Sequence, residues 1–232
     1  MPGTVGFFNP SEQLGLDASW ELQSESPSAT SQRASGLGSD GDEAASKLYD
    51  PKTAITCEFK CFLASGDLTV PSAGTVTAGG YHIDSWTVTY SPTDWPSISV
   101  TAHKHTGTTG THGVGSCRTY TPSVDLPAGW GIPRTVAGWA LAVGDTAIGI
   151  ASAEYSISVT HQDELGEAGE WLAGENRDGA ETFKLGLTGA GATVTAPAGW
   201  DKLEDGTAKS NQAAETQSLS WEHHVAFDVV SP

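Results

Sequence analysis

The sequence predicts an all-β protein: an antiparallel β-sandwich or partly open barrel with a long polar loop and an extended N-terminal arm. Three observations carry that expectation. Several short segments alternate apolar and polar residues with the period of two that a half-buried strand requires. Gly (28 residues), Ser and Thr are abundant and only 17% of residues are charged, which suits many short strands joined by turns. The long periodic runs of Leu, Glu, Lys and Ala that a helical bundle needs are missing. The 232 residues suffice for one large β domain, or for a β domain with a long insertion. A hydrophobic fraction of 38% implies a modest core and long loops.

Residues 1–22 read as an apolar arm. They carry Phe7, Phe8, Leu14, Leu16, Trp20 and Leu22. Such an arm docks either on its own domain or on a neighbouring subunit. Phe7, Phe8, Leu14 and Trp20, with Trp171 further along, are the candidate subunit contacts. Residues 23–48 read as a flexible polar loop. The run from Ser24 to Ser46 holds Ser, Gly, Asp and Ala and almost no bulky apolar side chain, so it cannot bury enough surface to offset its ordering entropy. A loop this long within a compact domain is often functional.

Residues 49–232 read as the β-sandwich domain. In Ala54–Leu63, Ile55, Cys57, Phe59 and Cys61 share one parity, and Thr56, Glu58 and Lys60 the other. Tyr81–Tyr90 alternates likewise. The turn Ser91-Pro92-Thr93-Asp94 follows, and Ile98, Val100 and Ala102 complete a hairpin. Thr106–Gly115 and Pro122–Gly131 read as loops. Residues 134–143 read as a strand or a short helix. Further strands are expected in Ala147–Thr160, Glu181–Thr188 and Ser218–Val230. Two short similarities recur: Ser-Ile-Ser-Val-Thr at 97–101 and 156–160, and Pro-Ala-Gly-Trp at 127–130 and 197–200. Their spacing is too irregular for a solenoid.

The formal net charge of −17 disfavours specific nucleic-acid binding, because an acidic surface repels phosphate. It fits plain solubility, or a surface that nucleic acid must pass without sticking. No segment has the roughly 20 apolar residues of a membrane span. Met1–Phe8 lacks a basic region and a long apolar core, so no secretory signal is expected there and folding in a cytoplasm is. Cys57, Cys61 and Cys117 make an odd, poor disulfide framework. On one strand face Cys57 and Cys61 lie about 13 Å apart, beyond disulfide reach. A bridge from either to Cys117 stays open, with free buried thiols favoured in a reducing compartment.

No catalytic residue, cofactor or metal is expected. His103, His105 and His112 lie near Cys117, and His103 and His105 share a strand face in a geometry that can hold zinc or copper. No carboxylate sits at ligand spacing in that segment, so it reads as an exposed strand end. His161-Gln162-Asp163-Glu164 and Glu222-His223-His224 join His to carboxylates fit for acid–base work. Each reads as a polar strand terminus, and no nucleophile signature accompanies them. A Gly-x-Gly-x-x-Gly pattern at Gly36, Gly38 and Gly41 lacks the flanking strand and helix of a dinucleotide site. Of eight tryptophans, Trp95, Trp130, Trp171 and Trp200 suggest exposed loop rings able to stack on sugars, making a carbohydrate-binding β-sandwich the alternative function.

The stretch Ala153–Gly189 places a strand (Ala153 to His161), a polar loop and a returning strand (Glu181 to Leu187) in an acidic, Gly/Ser/Thr-rich chain. Asp84–His105 and Ser218–Asp228 have the same character. In this layout, over residues 50–232, the chain resembles bacteriophage tail-tube and related virion structural proteins. The resemblance implies β-sandwich subunits whose sheets join across copies into a barrel, commonly in stacked six-fold rings. Loops and arms order on contact with the next ring. The implied partners are copies of itself in rings and stacks, other tail proteins, and DNA only as non-specific cargo passing an acidic channel, with no membrane. The implied location is the virion, assembled in the host cytoplasm. The lack of a clear helix departs from that family's pattern.

Overall fold

In the computed structural model, residues 13–37, 39–40, 42–105, 119–132, 140–142, 149–167, 171–189, 193–196, 198–210 and 213–224 are described. Ten strands form their regular structure: β1 (Trp20–Leu37), β2 (Glu43–Cys61), β3 (His82–Tyr90), β4 (Ser97–His105), β5 (Ala140–Ala142), β6 (Gly149–Leu165), β7 (Trp171–Thr188), β8 (Thr193–Thr195), β9 (Asp201–Ser210) and β10 (Ala213–His224). Eight make one antiparallel sheet in the order β1-β2-β4-β3-β6-β7-β10-β9, and β5 pairs with β8. The protein is therefore all-β, as the alternation predicts. The sheet does not close: β1 and β9 are its two edges.

Register turns the alternating segments into two chemically distinct faces. One row runs across six strands: Phe59 faces Ile98, Ile98 faces Val88, Val88 faces Tyr155, Tyr155 faces Phe183, and Phe183 faces Trp221. All six are buried. The adjacent row of opposite parity reads Glu58, Ser99, Thr87, Ser156, Thr182 and Glu222. One face is thus the core, and the other is lined largely by hydroxyls.

Irregular chain covers the core face. Leu68, Ala73, Tyr120, Val124 and Leu126 are buried against the sheet, joined by Leu14, Leu16 and Trp20. Backbone bonds stitch this layer together, with Leu68 N–H donating to Leu126 O (2.7 Å) and Ala73 and Tyr120 exchanging both bonds (3.0 and 2.9 Å). Core rings anchor it to the sheet. Trp20 Nε1 donates to Thr69 O, Trp86 Nε1 to Pro71 O (both 2.7 Å), and Tyr90 Oη to Pro127 O (3.0 Å). A buried loop backbone needs such partners to offset its desolvation. Cys57 and Cys61 are buried free thiols. Burial, with Glu25 nearby, pushes the Cys57 thiol up to about 11, so it stays protonated and inert.

The polar segment 23–48 is not a loop. Its described residues form the greater part of a ribbon in which β1 pairs with β2 from Trp20↔Cys61 out to Leu37↔Glu43. Every residue from Glu21 to Leu37 is exposed. With solvent on both sides no alternation is required, so the sequence carries no period-two signal. β4 supports β2 only from Lys52 to Lys60. Among the described residues, the ribbon is two strands wide beyond that point. Pro27 sits on the edge strand, where a missing N–H is tolerated, and Pro51 lies at the register shift between Thr30 and Gln32. Strand β9 was missed for the same reason: Asp201–Asp205 are all exposed, Leu203 included, so no apolar side alternates with a polar one.

In both Pro-Ala-Gly-Trp motifs the Gly takes a positive φ, 119° at Gly129 and 91° at Gly199. Both Ser-Ile-Ser-Val-Thr copies flank β3, on β4 and β6. Among the described residues no helix is long and apolar enough to cross a membrane.

Candidate functional site

Where the ribbon leaves the sheet, four of the seven histidines converge. Ring centroids lie 4.1 Å apart for His82–His161, 4.9 Å for His82–His103, 5.1 Å for His103–His161 and 5.2 Å for His103–His105. All four rings are buried or nearly so. Trp171 stacks on His105 at 4.8 Å and 19°.

Two sheet irregularities build this cluster. Between Ile83 and Ser85 β3 advances two residues against one step of β4, so Asp84 is a bulge residue. A bulge re-aims its side chain. Asp84 Oδ1 accepts from His82 Nδ1 (2.9 Å), and His103 Nδ1 reaches both its oxygens (2.8 and 2.9 Å). Between Thr160 and His161 the register with β7 slips by one, leaving Arg177 unpaired and setting His161 opposite Asn176. Asn176 Oδ1 then accepts from His161 Nδ1 (2.9 Å) and His82 Nε2 (2.8 Å), while its Nδ2 donates to Gly74 O (3.0 Å). That last bond fixes which way the amide points.

Protonation follows from these contacts. Both nitrogens of His82 face oxygens, Asp84 Oδ1 and Asn176 Oδ1. His161 is placed alike, with Nε2 3.1 Å from Asp163 Oδ1. Burial alone would lower the His161 pKa, but Asp163 and Asn176 outweigh it and raise it. Asp163 gathers cations and donors: Trp171 Nε1 at 2.8 Å, His105 Nε2 at 3.0 Å and His161 on one oxygen, and Lys52 on the other. Burial would raise its carboxyl, yet these partners hold it far below the usual range. Asp84, likewise pushed up by burial, is held down to about 2 by His103 and His82. The cluster sets largely buried imidazoles against the partly buried carboxylates of Asp84 and Asp163, so each polar group withdrawn from water has a partner.

Chemically, the arrangement shares protons between imidazoles and carboxylates. It also presents donor atoms of His103, His105, His161 and Asp163 that all lie within 4.8 Å of one another; a second such group is His82, Asp84 and His103. Gly174 permits the packing. A Cβ there would fall 2.4 Å from His161 Nε2.

No protein-family model matches the chain, and no curated protein matches it. The site therefore stands on its own geometry.

The structure redistributes the residues singled out in the sequence. His103 and His105, read as an exposed strand end, are buried, because Asp84 and Asp163 arrive from strands remote in sequence. His112 and Cys117 lie outside the described residues, as do Phe7 and Phe8. His161 and Asp163, read as a polar strand terminus, sit within β6. His223 joins a separate node, 3.1 Å from the buried Glu181, which also accepts from Ser123 N (2.9 Å) and Ser123 Oγ (2.6 Å). Of the candidate subunit contacts, Leu14, Trp20 and Trp171 are buried within their own chain and offer a second copy no surface. Trp171 and Trp200 are likewise unavailable to a sugar, whereas Trp130 is 60% exposed. Lys52, His82, Asp84 and Asn176 were missed. One signal was present: three strands each carry an i, i+2 pair of His or Asp, namely His82/Asp84, His103/His105 and His161/Asp163.

Proposed function

We propose that this chain is a self-assembling structural subunit that packs against copies of itself through the β1–β2 ribbon, as in a phage tail tube or related virion shell. The observation that carries the reading is the ribbon itself. An isolated two-stranded hairpin is marginal in water. Here its β1 strand is exposed from Glu21 to Leu37, and among the described residues its distal part has no third strand. Contact with a neighbouring copy supplies the missing packing. Open edges at β1 and β9 favour the same reading, because sheet edges are templates for further pairing. Contact between different surfaces of successive copies forms rings when the rotation closes and stacks when it does not. The broad hydroxyl-lined face suits a channel wall that DNA passes as non-specific cargo, and the net charge of −17 discourages its sticking.

Light scattering and negative-stain microscopy test this on the full chain and on a variant with Gln32–Tyr49 replaced by a short Gly-containing turn. The full chain is expected to form rings or tubes at high concentration, more readily as salt screens its charge. The shortened variant is expected to stay monomeric and folded. A full chain that remains monomeric at every salt and with co-expressed tail proteins, or a shortened variant that assembles equally well, defeats the reading.

One observation favours a second reading, a carbohydrate-binding module. Phe62, Trp95 and Trp130 form an edge-to-face group with centroids 5.9 and 5.7 Å apart, and Phe62 and Trp130 are exposed. Exposed rings of this kind present flat apolar faces to sugars. A glycan array with wild type and Trp130→Ala decides it: sugar binding abolished by the substitution supports the module, and no binding removes it.

A further inference from the structure

We propose that His103, His105, His161 and Asp163 bind one divalent transition-metal ion, with zinc the best match, as a structural clamp between β4 and β6. This inference is independent of assembly.

The donor set is the first reason. Three imidazoles and one carboxylate, without a thiolate, suit zinc and neighbouring first-row ions, whereas calcium and magnesium take oxygen ligands. Distance is the second. Around an ion at about 2.0–2.1 Å, tetrahedral ligand atoms lie about 3.4 Å from one another. Asp163 Oδ1 is 3.0 Å from His105 Nε2 and 3.1 Å from His161 Nε2, and all four donor atoms fall within 4.8 Å. Closing on an ion requires side-chain shifts of about an ångström, not a rearrangement of strands.

The surrounding shell is the third and strongest reason. A metal-bound histidine usually donates its other ring N–H to a carboxylate or carbonyl, which fixes the tautomer and aims the ring. His103 does this through Nδ1 to Asp84, and His161 through Nδ1 to Asn176 Oδ1. In both, this assigns Nε2 as the nitrogen that would bind the ion. Asp163 is oriented by Lys52 on one oxygen and Trp171 Nε1 on the other. Trp171 also lies flat against His105. The ion replaces the proton between His161 Nε2 and Asp163, releasing it to solvent, so that His161 binds as a neutral ligand.

The placement indicates the role. β4 and β6 do not pair with each other; β3 lies between them. β3 pairs with β6 only as far as Ser85↔Ser158, so beyond that point side chains must hold the sheet together. Four protein donors fill a tetrahedron and leave no open position, which marks a structural rather than a catalytic ion.

The test uses the full chain, stripped of metal, re-equilibrated with zinc or cobalt(II) and desalted. Wild type is expected to retain one ion per chain by elemental analysis, to give the intense visible bands of tetrahedral cobalt, and to show X-ray absorption from nitrogen and oxygen neighbours with imidazole outer shells. His105→Ala and Asp163→Asn are expected to lose the ion. Asp84→Asn, which removes only the outer carboxylate, is expected to weaken binding about tenfold to a hundredfold. His224→Ala and the double variant His112→Ala with Cys117→Ser are expected to retain it. Because wild type decides first, misfolding of a variant does not shield the proposal. A wild type that retains no ion, an octahedral cobalt spectrum, or an ion kept by His105→Ala but lost by the His112/Cys117 variant overturns it.

Discussion

The distal β1–β2 ribbon and the histidine cluster begin within a few residues of each other, at Lys52, yet they treat polar groups in opposite ways. In the ribbon, β1 side chains are solvated on both faces, and the ion pair of Arg33 with Glu43 is open to water. In the cluster, six ionisable groups and an amide are withdrawn from water and oriented by one another. Charge is cheap to alter in the first region and costly in the second, because an exposed pair is screened while a buried one cannot lose a partner without stranding the other.

The largest effect is expected from Asp163→Ala. It removes the carboxylate shared by Lys52, His105, His161 and Trp171 Nε1, and removing one partner of a buried pair costs about 3–5 kcal/mol. Urea denaturation measures it; a loss below about 1 kcal/mol would show the site to be wetter than its burial indicates. Next is Gly174→Ala, whose Cβ collides with the His161 ring. Overpacking of this kind costs about 1–3 kcal/mol.

Acidity sharpens the contrast. The Asp84 carboxyl is lowered from 3.8 to about 2, so its contribution to stability is complete above pH 3.8 and is lost as pH falls through 2. His161 is raised from 6.5, so its contribution is complete below pH 6.5 and is lost as pH rises through the raised value. Metal-free protein should therefore be most resistant to urea between these limits, with the midpoint falling on either side. Smallest is Arg33→Ala on the ribbon, expected to change monomer stability by about 0.5 kcal/mol or less. A larger loss would mean that the ribbon is packed more tightly than its exposure indicates.

The two regions also differ in how far the sequence revealed them. The sheet centre was legible because one face is buried: Phe59, Ile98, Val88, Tyr155 and Phe183 each sit in a visible alternation. The ribbon was not, since a strand solvated on both faces needs no pattern. The cluster was half legible. His103 with His105, and His161 with Asp163, stood out locally, but what joins them is register. The bulge at Asp84 and the slip beside His161 decide which side chains meet, and neither leaves a composition signature. The Pro-Ala-Gly-Trp repeats carry the same lesson. Both hold their Gly at a positive φ, yet Trp200 is buried and Trp130 exposed, because burial depends on what the rest of the chain places overhead.

Amide hydrogen exchange on dilute monomer and on concentrated assembly shows whether contact between copies orders the ribbon. Gln32–Leu37 are expected to exchange fast in the monomer and slowly in the assembly, while β3 and β6 beside the histidines stay protected in both. Equal protection of that segment in the two states would contradict such ordering.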